Sequence, residues 1–187
     1  SVSALEELLT PRLRLRRWRA EDEASMVAIN SDPAVTEFLN ARIDAAATAA
    51  FLRRTQKHWD EHGFGHWAVE ALQGPLAGRL IGFVGVAYPG YLPEVADRPE
   101  LGWRLSSASW GSGYATEAAL AARDDAFGRL GLPALISIIH PENDRSRRVA
   151  TKLGMSILFQ VFNQVHDREV DIWGMTGPGV SEAPRAG

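Results

Sequence analysis

Residues 100–127 read ELGWRLSSASWGSGYATEAALAARDDAF, and the order of properties along them sets the architecture. ELGWRL has the pattern of a short strand, SSASWGSG is small and polar, and an alanine-rich run then begins near Tyr114. That succession predicts strand, turn and helix, the helix running to about residue 129 and closed by LGLP. A helix start leaves several backbone N–H groups unpaired and carries partial positive charge. Glycines at 111 and 113 remove the side chains that would keep an anion from those groups, and Thr116 adds a hydroxyl in the first turn. The segment reads either as a turn that starts a helix or as a seat for a phosphate. A P-loop is excluded because no lysine follows Gly113. A dinucleotide fingerprint lacks its third glycine. A coenzyme A seat is the phosphate-binding pattern that remains.

The flanks extend this core. Residues 12–18 alternate basic and apolar side chains and predict a strand with one solvated face, and residues 20–30 predict a helix with acids in its first turn. SDPAVTEFL suggests a turn into a short helix, and residues 45–62 a longer one stopped by Gly63. HWAVEAL and RLIGFVGVAY predict strands ahead of a Pro- and Gly-bearing loop, and ALISIIH another after the alanine-rich helix. A capped helix ending at Gly154 and two final strands, SILFQVFNQV and REVDIWGMT, complete one α/β domain with a central mixed sheet.

Composition limits the function classes. The 187 residues fit one domain, 45% of them hydrophobic and 23% charged. A net charge of −3 gives no electrostatic case for nucleic acid as the main partner. With neither a membrane-length apolar run nor a signal-peptide pattern, no membrane contact and a cytoplasmic location are expected. The absence of cysteine rules out disulfides, thiolate metal sites and a cysteine nucleophile. The histidines show no metal spacing, and His66 reads as a packing residue.

Downstream, NDRSRRVATKLGM places Asn143 just after a strand and Ser146 in the first turn of a helix. Together with ELGWRLSSASWGSGYATEA and AFGRLGL, it resembles the GNAT superfamily of N-acetyltransferases. Within that superfamily it is most similar to the RimJ/RimL branch, which acetylates ribosomal-protein N-termini. The resemblance extends from LTPRLRLRRWRAED to VDIWGMT. It implies a domain over residues 1–176, with a strongly twisted sheet and two neighbouring strands splayed to admit acetyl-CoA. Residues 177–187, rich in Gly, Pro and Ala, are expected to form a flexible tail.

The family's pyrophosphate motif, Arg/Gln-x-x-Gly-x-Gly/Ala, maps onto Trp110, Gly111, Ser112, Gly113, Tyr114 and Ala115, with Thr116 completing the seat. Trp110 departs from the general Arg/Gln in a way usual for this branch. Trp103, Arg104 and Leu105 would run beside the pantetheine arm, which Asn143 would bond from the other side. The resemblance implies that Glu100 is the general base and Ser146 the proton donor to the departing thiolate. Wider relatives use a tyrosine for the second role, but Tyr88, Tyr91 and Tyr114 all lie outside the 143–153 helix. His140 could assist the base, and Arg145, Arg147 and Arg148 could reach the 3′-phosphate of coenzyme A.

The implied reaction is direct transfer from acetyl-CoA, without a metal, to a protein N-terminus or a small-molecule amine. Residues 88–100 carry Glu94, Asp97 and Glu100 against Arg98 and suggest a cationic acceptor. Relatives include monomers and homodimers, and the chain is compatible with either. The residues also admit plainer roles: Glu100 as a strand-edge acid, Asn143 and Ser146 as helix caps. A non-catalytic acyl-CoA sensor of the same fold is the alternative function, and a nucleotide-binding oxidoreductase a more distant one.

Overall fold

The structure, a computed structural model, describes residues 5–39, 42–164 and 167–181. Its strands are β1 (Glu7–Leu9), β2 (Leu13–Arg16), β3 (His66–Ala71), β4 (Leu80–Ala87), β5 (Glu100–Leu105), β6 (Ala134–Ile139), β7 (Ser156–Asn163) and β8 (Arg168–Thr176). Its helices are α1 (Asp22–Asn30), α2 (Pro33–Thr36), α3 (Ala45–His62), α4 (Tyr114–Phe127) and α5 (Asp144–Leu153). The strands form one mixed sheet in the order β1-β2-β3-β4-β5-β6-β8-β7. Neighbours are antiparallel except β5 and β6, which run parallel because α4 carries the chain back between them.

Helices cover both faces. Against one lies α4, whose buried positions are all alanine (Ala118, Ala119, Ala122, Ala126), so the helix axis can approach the strands closely. Val84, Val86, Leu101, Leu105 and Leu135 meet it there. Met26 and Ile29 of α1, with Phe51 of α3, cover Phe83 on the opposite face. β4 serves both layers through an irregularity in its pairing with β3: Val69 faces Gly82, Glu70 faces Leu80, and Ile81 is skipped. Ile81 and Val84 therefore both belong to the α4 core, while Phe83 between them faces α1 and α3.

Two expectations are corrected. The chain begins with an additional strand, β1, too short for its alternation to register. The β2 face opposite the core is not wholly solvated: Arg16 is buried and held in a fork by Asp22, its Nη1 and Nη2 donating at 2.8 and 2.9 Å. Asp22 also accepts from the Arg19 amide, so it ties α1 to the sheet. Gly177 donates its amide to Pro133, and the end of the expected tail, 182–187, lies outside the described residues. No described helix is long and apolar enough to cross a membrane.

Glu117, in the first turn of α4, clamps that helix to the β1–β2 turn. It accepts from the Thr10 hydroxyl at 2.6 Å, the Arg12 amide at 3.0 Å and Arg12 Nε at 2.7 Å. Glu117→Ala leaves all three donors without their acceptor and should destabilise the fold by about 2 kcal/mol, measured as a lower urea midpoint. An unchanged midpoint would show the clamp to be idle. Burial works to raise the Glu117 carboxyl, but the hydrogen bonds and charge of Thr10 and Arg12 outweigh it and hold it below the usual value. This contribution is present above pH 4.5, the ordinary value, and is lost as pH falls through the depressed one.

Candidate active site

The glycine turn ahead of α4 has a definite backbone reason. Gly111 and Gly113 take φ of +85° and +81°, the left-handed region where a side chain is strained. Crowding is not the constraint: a Cβ at 111 would meet nothing within 4 Å, and one at 113 only Arg12 Nη2 at 3.6 Å. Gly113 is the N-cap of α4 and offers no side-chain cap. The amide of Glu117 is bonded to Gly113 at 3.0 Å, so those of Tyr114, Ala115 and Thr116 precede the helical ladder. Successive amides at an uncapped helix start form a concave anion receptor.

This turn opens into a cleft of about 410 Å³. Trp103, Arg104, Leu105, Trp110, Gly111, Gly113, Tyr114, Ala115, Thr116, Asn143 and Ser146 line it, which brings nearly every expected site residue to one place. Ser112 is exposed between the glycines and is not in the lining, and neither is Glu100. A further wall comes from α2 and the residues after it: Ala34, Val35, Phe38 and Leu39. The sequence signals this wall weakly, through the Asp-Pro start of a short helix. Asp32 caps α2 by accepting from Ala34 at 2.9 Å and also accepts from the Ser107 hydroxyl. Arg168 donates to the Phe38 carbonyl, so both ends of this wall are tethered.

The cleft exists because β5 and β6 part. Among the described residues their ladder has one register pair, Glu100 with Ile136. Ser137 Oγ adds a bond to the Leu101 carbonyl at 2.6 Å. Towards Leu105 no pairing continues between the two strands.

Glu100 sits at the joined end. Its carboxylate accepts from Tyr91 Oη at 3.1 Å and from the Ile138 backbone. Burial pushes its pKa up to about 7, against the partial pull of those two bonds.

On α5, Asn143 is an N-cap: its Oδ1 accepts from the Ser146 amide at 3.2 Å, which leaves its side-chain NH₂ for other use. Ser146 is half-buried in the cleft wall. Arg145 lays its guanidinium over the Trp110 ring, 3.5 Å from the centroid, and Trp110 Nε1 donates to Leu105 O at 3.1 Å. A cation is thus held beside the glycine turn. Arg147 instead pairs with Asp171 at 3.1 Å, while Arg148 lines the cleft. His140 packs on Phe38 at 5.1 Å, and its Nδ1 accepts from the Glu142 amide at 3.0 Å. His66 forms a three-ring cluster with Phe51 and Phe83, stacked on the first and tilted against the second, and burial drives its pKa down to about 3, so it is a neutral packing residue. The described residues contain no cluster able to hold a metal ion.

The family model of the acetyltransferase (GNAT) domain matches residues 12–156. The uncharacterized protein YkkB of Bacillus subtilis is 28% identical over 158 residues, covering 82% of this chain and 87% of that protein. A crystal structure of an acetyltransferase from Agrobacterium tumefaciens matches with a TM-score of 0.78 at 27% identity, covering 92% of this chain and 95% of that one. Mycobacterium smegmatis RimJ, solved in complex with CoA-disulfide, shares the fold with a TM-score of 0.67 at 20% identity, over 88% of this chain and 81% of that one. With a sheet parted between β5 and β6, an uncapped glycine turn at α4 and a family match across most of its length, the chain belongs to the GNAT acetyltransferase family.

Proposed function

We propose that the chain transfers the acetyl group of acetyl-CoA directly to an amine, either a protein N-terminus or a small molecule. The observation that carries this reading is the pairing of two features on one strand. β5 leads from Glu100, a carboxyl poised near neutrality, to a cleft walled by the uncapped start of α4. The α4 amides and Arg145 suit a pyrophosphate, and the bare β5 edge suits an amide-bearing arm. Acetyl-CoA supplies an activated acyl group on a thiol that leaves readily.

The residues then have distinct tasks. Glu100 takes the proton that an ammonium must lose before its nitrogen can attack. Backbone amides of β5 face the developing negative charge on the acyl oxygen. Ser146 returns a proton to the departing sulfur, and Asn143 fixes the turn that carries Ser146. The chain has no cysteine, so no cysteine-bound acyl group intervenes. Likeness to ribosomal-protein acetyltransferases favours a protein N-terminus as one acceptor class, and the same fold serves small amines.

Thermal unfolding with acetyl-CoA, ATP and NAD at matched concentrations tests the seat. A ligand at about a hundred times its Kd stabilises by roughly 2.7 kcal/mol, or about 5–10 °C for a chain of this size. The expected result is a shift with acetyl-CoA alone, followed by thiol release on a panel of amines. Stabilisation by NAD or ATP instead would overturn the assignment. Tight acetyl-CoA binding without turnover on any amine would favour the sensor.

A further inference from the structure

Arg104 is half-buried beside the cleft without the usual counter-charge. The residues Glu100, Gly102 and Arg104 share the face of β5 on the α1 and α3 side of the sheet, opposite Ala87, Gly85 and Phe83 of β4, and all three are half-buried. The Arg104 guanidinium lies 5.1 Å from the Phe83 ring centroid, and its Nη1 donates to Asn30 Oδ1 at 3.0 Å. Asn30 is 2% exposed and donates onward to Thr48 Oγ1 at 3.0 Å. Thr48, 0% exposed, donates in turn to the Asp44 carbonyl at 2.9 Å. A buried relay across two helices therefore holds this guanidinium in place, and every group in it is neutral.

Among the described residues no carboxylate pairs with Arg104. Burial lowers its pKa to about 10, with only the Tyr91 phenol opposing the shift. The buried arginine of this fold is held differently: Arg16 is paired with both Asp22 and Glu70 and its pKa is raised, whereas Arg104 is half-buried. Arg104 also lines the cleft. Between Arg104 and Glu100 the strand carries a glycine, and a Cβ placed there would meet only His66 Nε2, at 4.0 Å. The charge of Arg104 acts on both His66 and Tyr91, and the Tyr91 hydroxyl bonds Glu100.

We propose that Arg104 is the anion receptor of the acceptor site, so that the acceptor is an amine that also carries a carboxylate or phosphate, lying over Gly102 with its nitrogen towards Glu100. This rests on the acetyl-transfer reading above. It refines the cationic acceptor suggested by residues 88–100 into a molecule bearing both signs of charge. A guanidinium already held by Asn30 at the edge of the cleft is suited to such a group, because its ordering is met in the free protein.

Matched acceptor pairs test it: amino acids against their C-terminal amides, and phosphoethanolamine against ethanolamine, followed by thiol release from acetyl-CoA. In at least one pair the anionic member should show kcat/KM at least tenfold above its neutral partner, and which pair responds separates carboxylate from phosphate. Arg104→Gln should remove at least tenfold of that ratio, chiefly through the acceptor KM, and Arg104→Lys should restore part of it. Asn30→Asp, which places a carboxylate of the protein on the guanidinium, should also collapse the ratio, which a purely structural arginine would not do. Equal rates within every pair would overturn the proposal. So would an Arg104→Gln defect confined to the KM of acetyl-CoA, which would assign the guanidinium to the coenzyme. If no amine is turned over, acetyl transfer itself fails. Calorimetric titration of the CoA-bound protein with glycine, glycinamide, phosphoethanolamine and ethanolamine then decides the site: tenfold tighter binding of the anionic members supports it, and no difference overturns it.

Discussion

Glu100→Gln is expected to lower kcat/KM most between about pH 7 and 8, by about tenfold at the lower end, where only about a tenth of an α-amine of pKa about 8 is already neutral. The argument turns on the carboxyl's environment. Burial raises its pKa to about 7, while the Tyr91 hydroxyl and the Ile138 backbone hold it from rising further. Below that value Glu100 carries its own proton and cannot accept another, so wild-type kcat/KM should climb as pH rises through about 7. The glutamine variant lacks this limb. Above the pKa of the acceptor, about 8 for an α-amine, the amine deprotonates without help and the deficit should shrink. The largest gap therefore lies between the two values. Tyr91→Phe provides an independent check: losing a bond that favours the charged form moves the acid limb to higher pH. Should Glu100→Gln keep the wild-type pH profile, Glu100 is not the base.

Gly82→Ala is expected to give little or no folded protein. Gly82 takes a φ of +143°, and an added Cβ would lie 2.0 Å from the Arg104 carbonyl oxygen and 2.8 Å from the Leu105 Cα. Both are backbone atoms of the neighbouring strand, so no rotamer change relieves them. Overpacking costs about 1–3 kcal/mol and a disfavoured φ about as much again, against a total stability of about 5–15 kcal/mol. Any accommodation moves β5 itself, which carries Glu100 and Arg104. Soluble yield and the urea midpoint measure the effect. Gly90→Ala is the control, because a Cβ there meets nothing within 4 Å and its φ is ordinary. A Gly82→Ala protein with an unshifted midpoint would show that the β4–β5 contact yields more easily than its geometry implies.

The sequence was most legible where local chemistry decides structure. α3 runs from Ala45 to His62 and stops at Gly63 in the left-handed conformation, as its apolar spacing and terminal glycine predict. The α4 start, the Asn143 cap and the Gly154 stop follow from the same local rules. What escaped the reading depends on partners distant along the chain. Arg16 looked like part of a solvated face because Asp22 covers it only once α1 folds back. The raised Glu100 pKa comes from burial by elements distant along the chain, which the Tyr91 and Ile138 bonds only partly offset, and the relay that holds Arg104 needs α1 and α3 together. The glycines at 111 and 113 stand out in the sequence, but their positive φ values emerge only from the backbone.

The parting of β5 from β6 gives the molecule the geometry of jaws with a fulcrum. The two half-sheets are riveted at Glu100–Ile136, with the Ser137–Leu101 bond beside it, and the gap widens towards Leu105. Any change in the angle between them displaces Leu105 most and Glu100 least. The carboxyl at the pivot thus sits where the two halves are joined, and the cleft lies at the end of β5 where they are not.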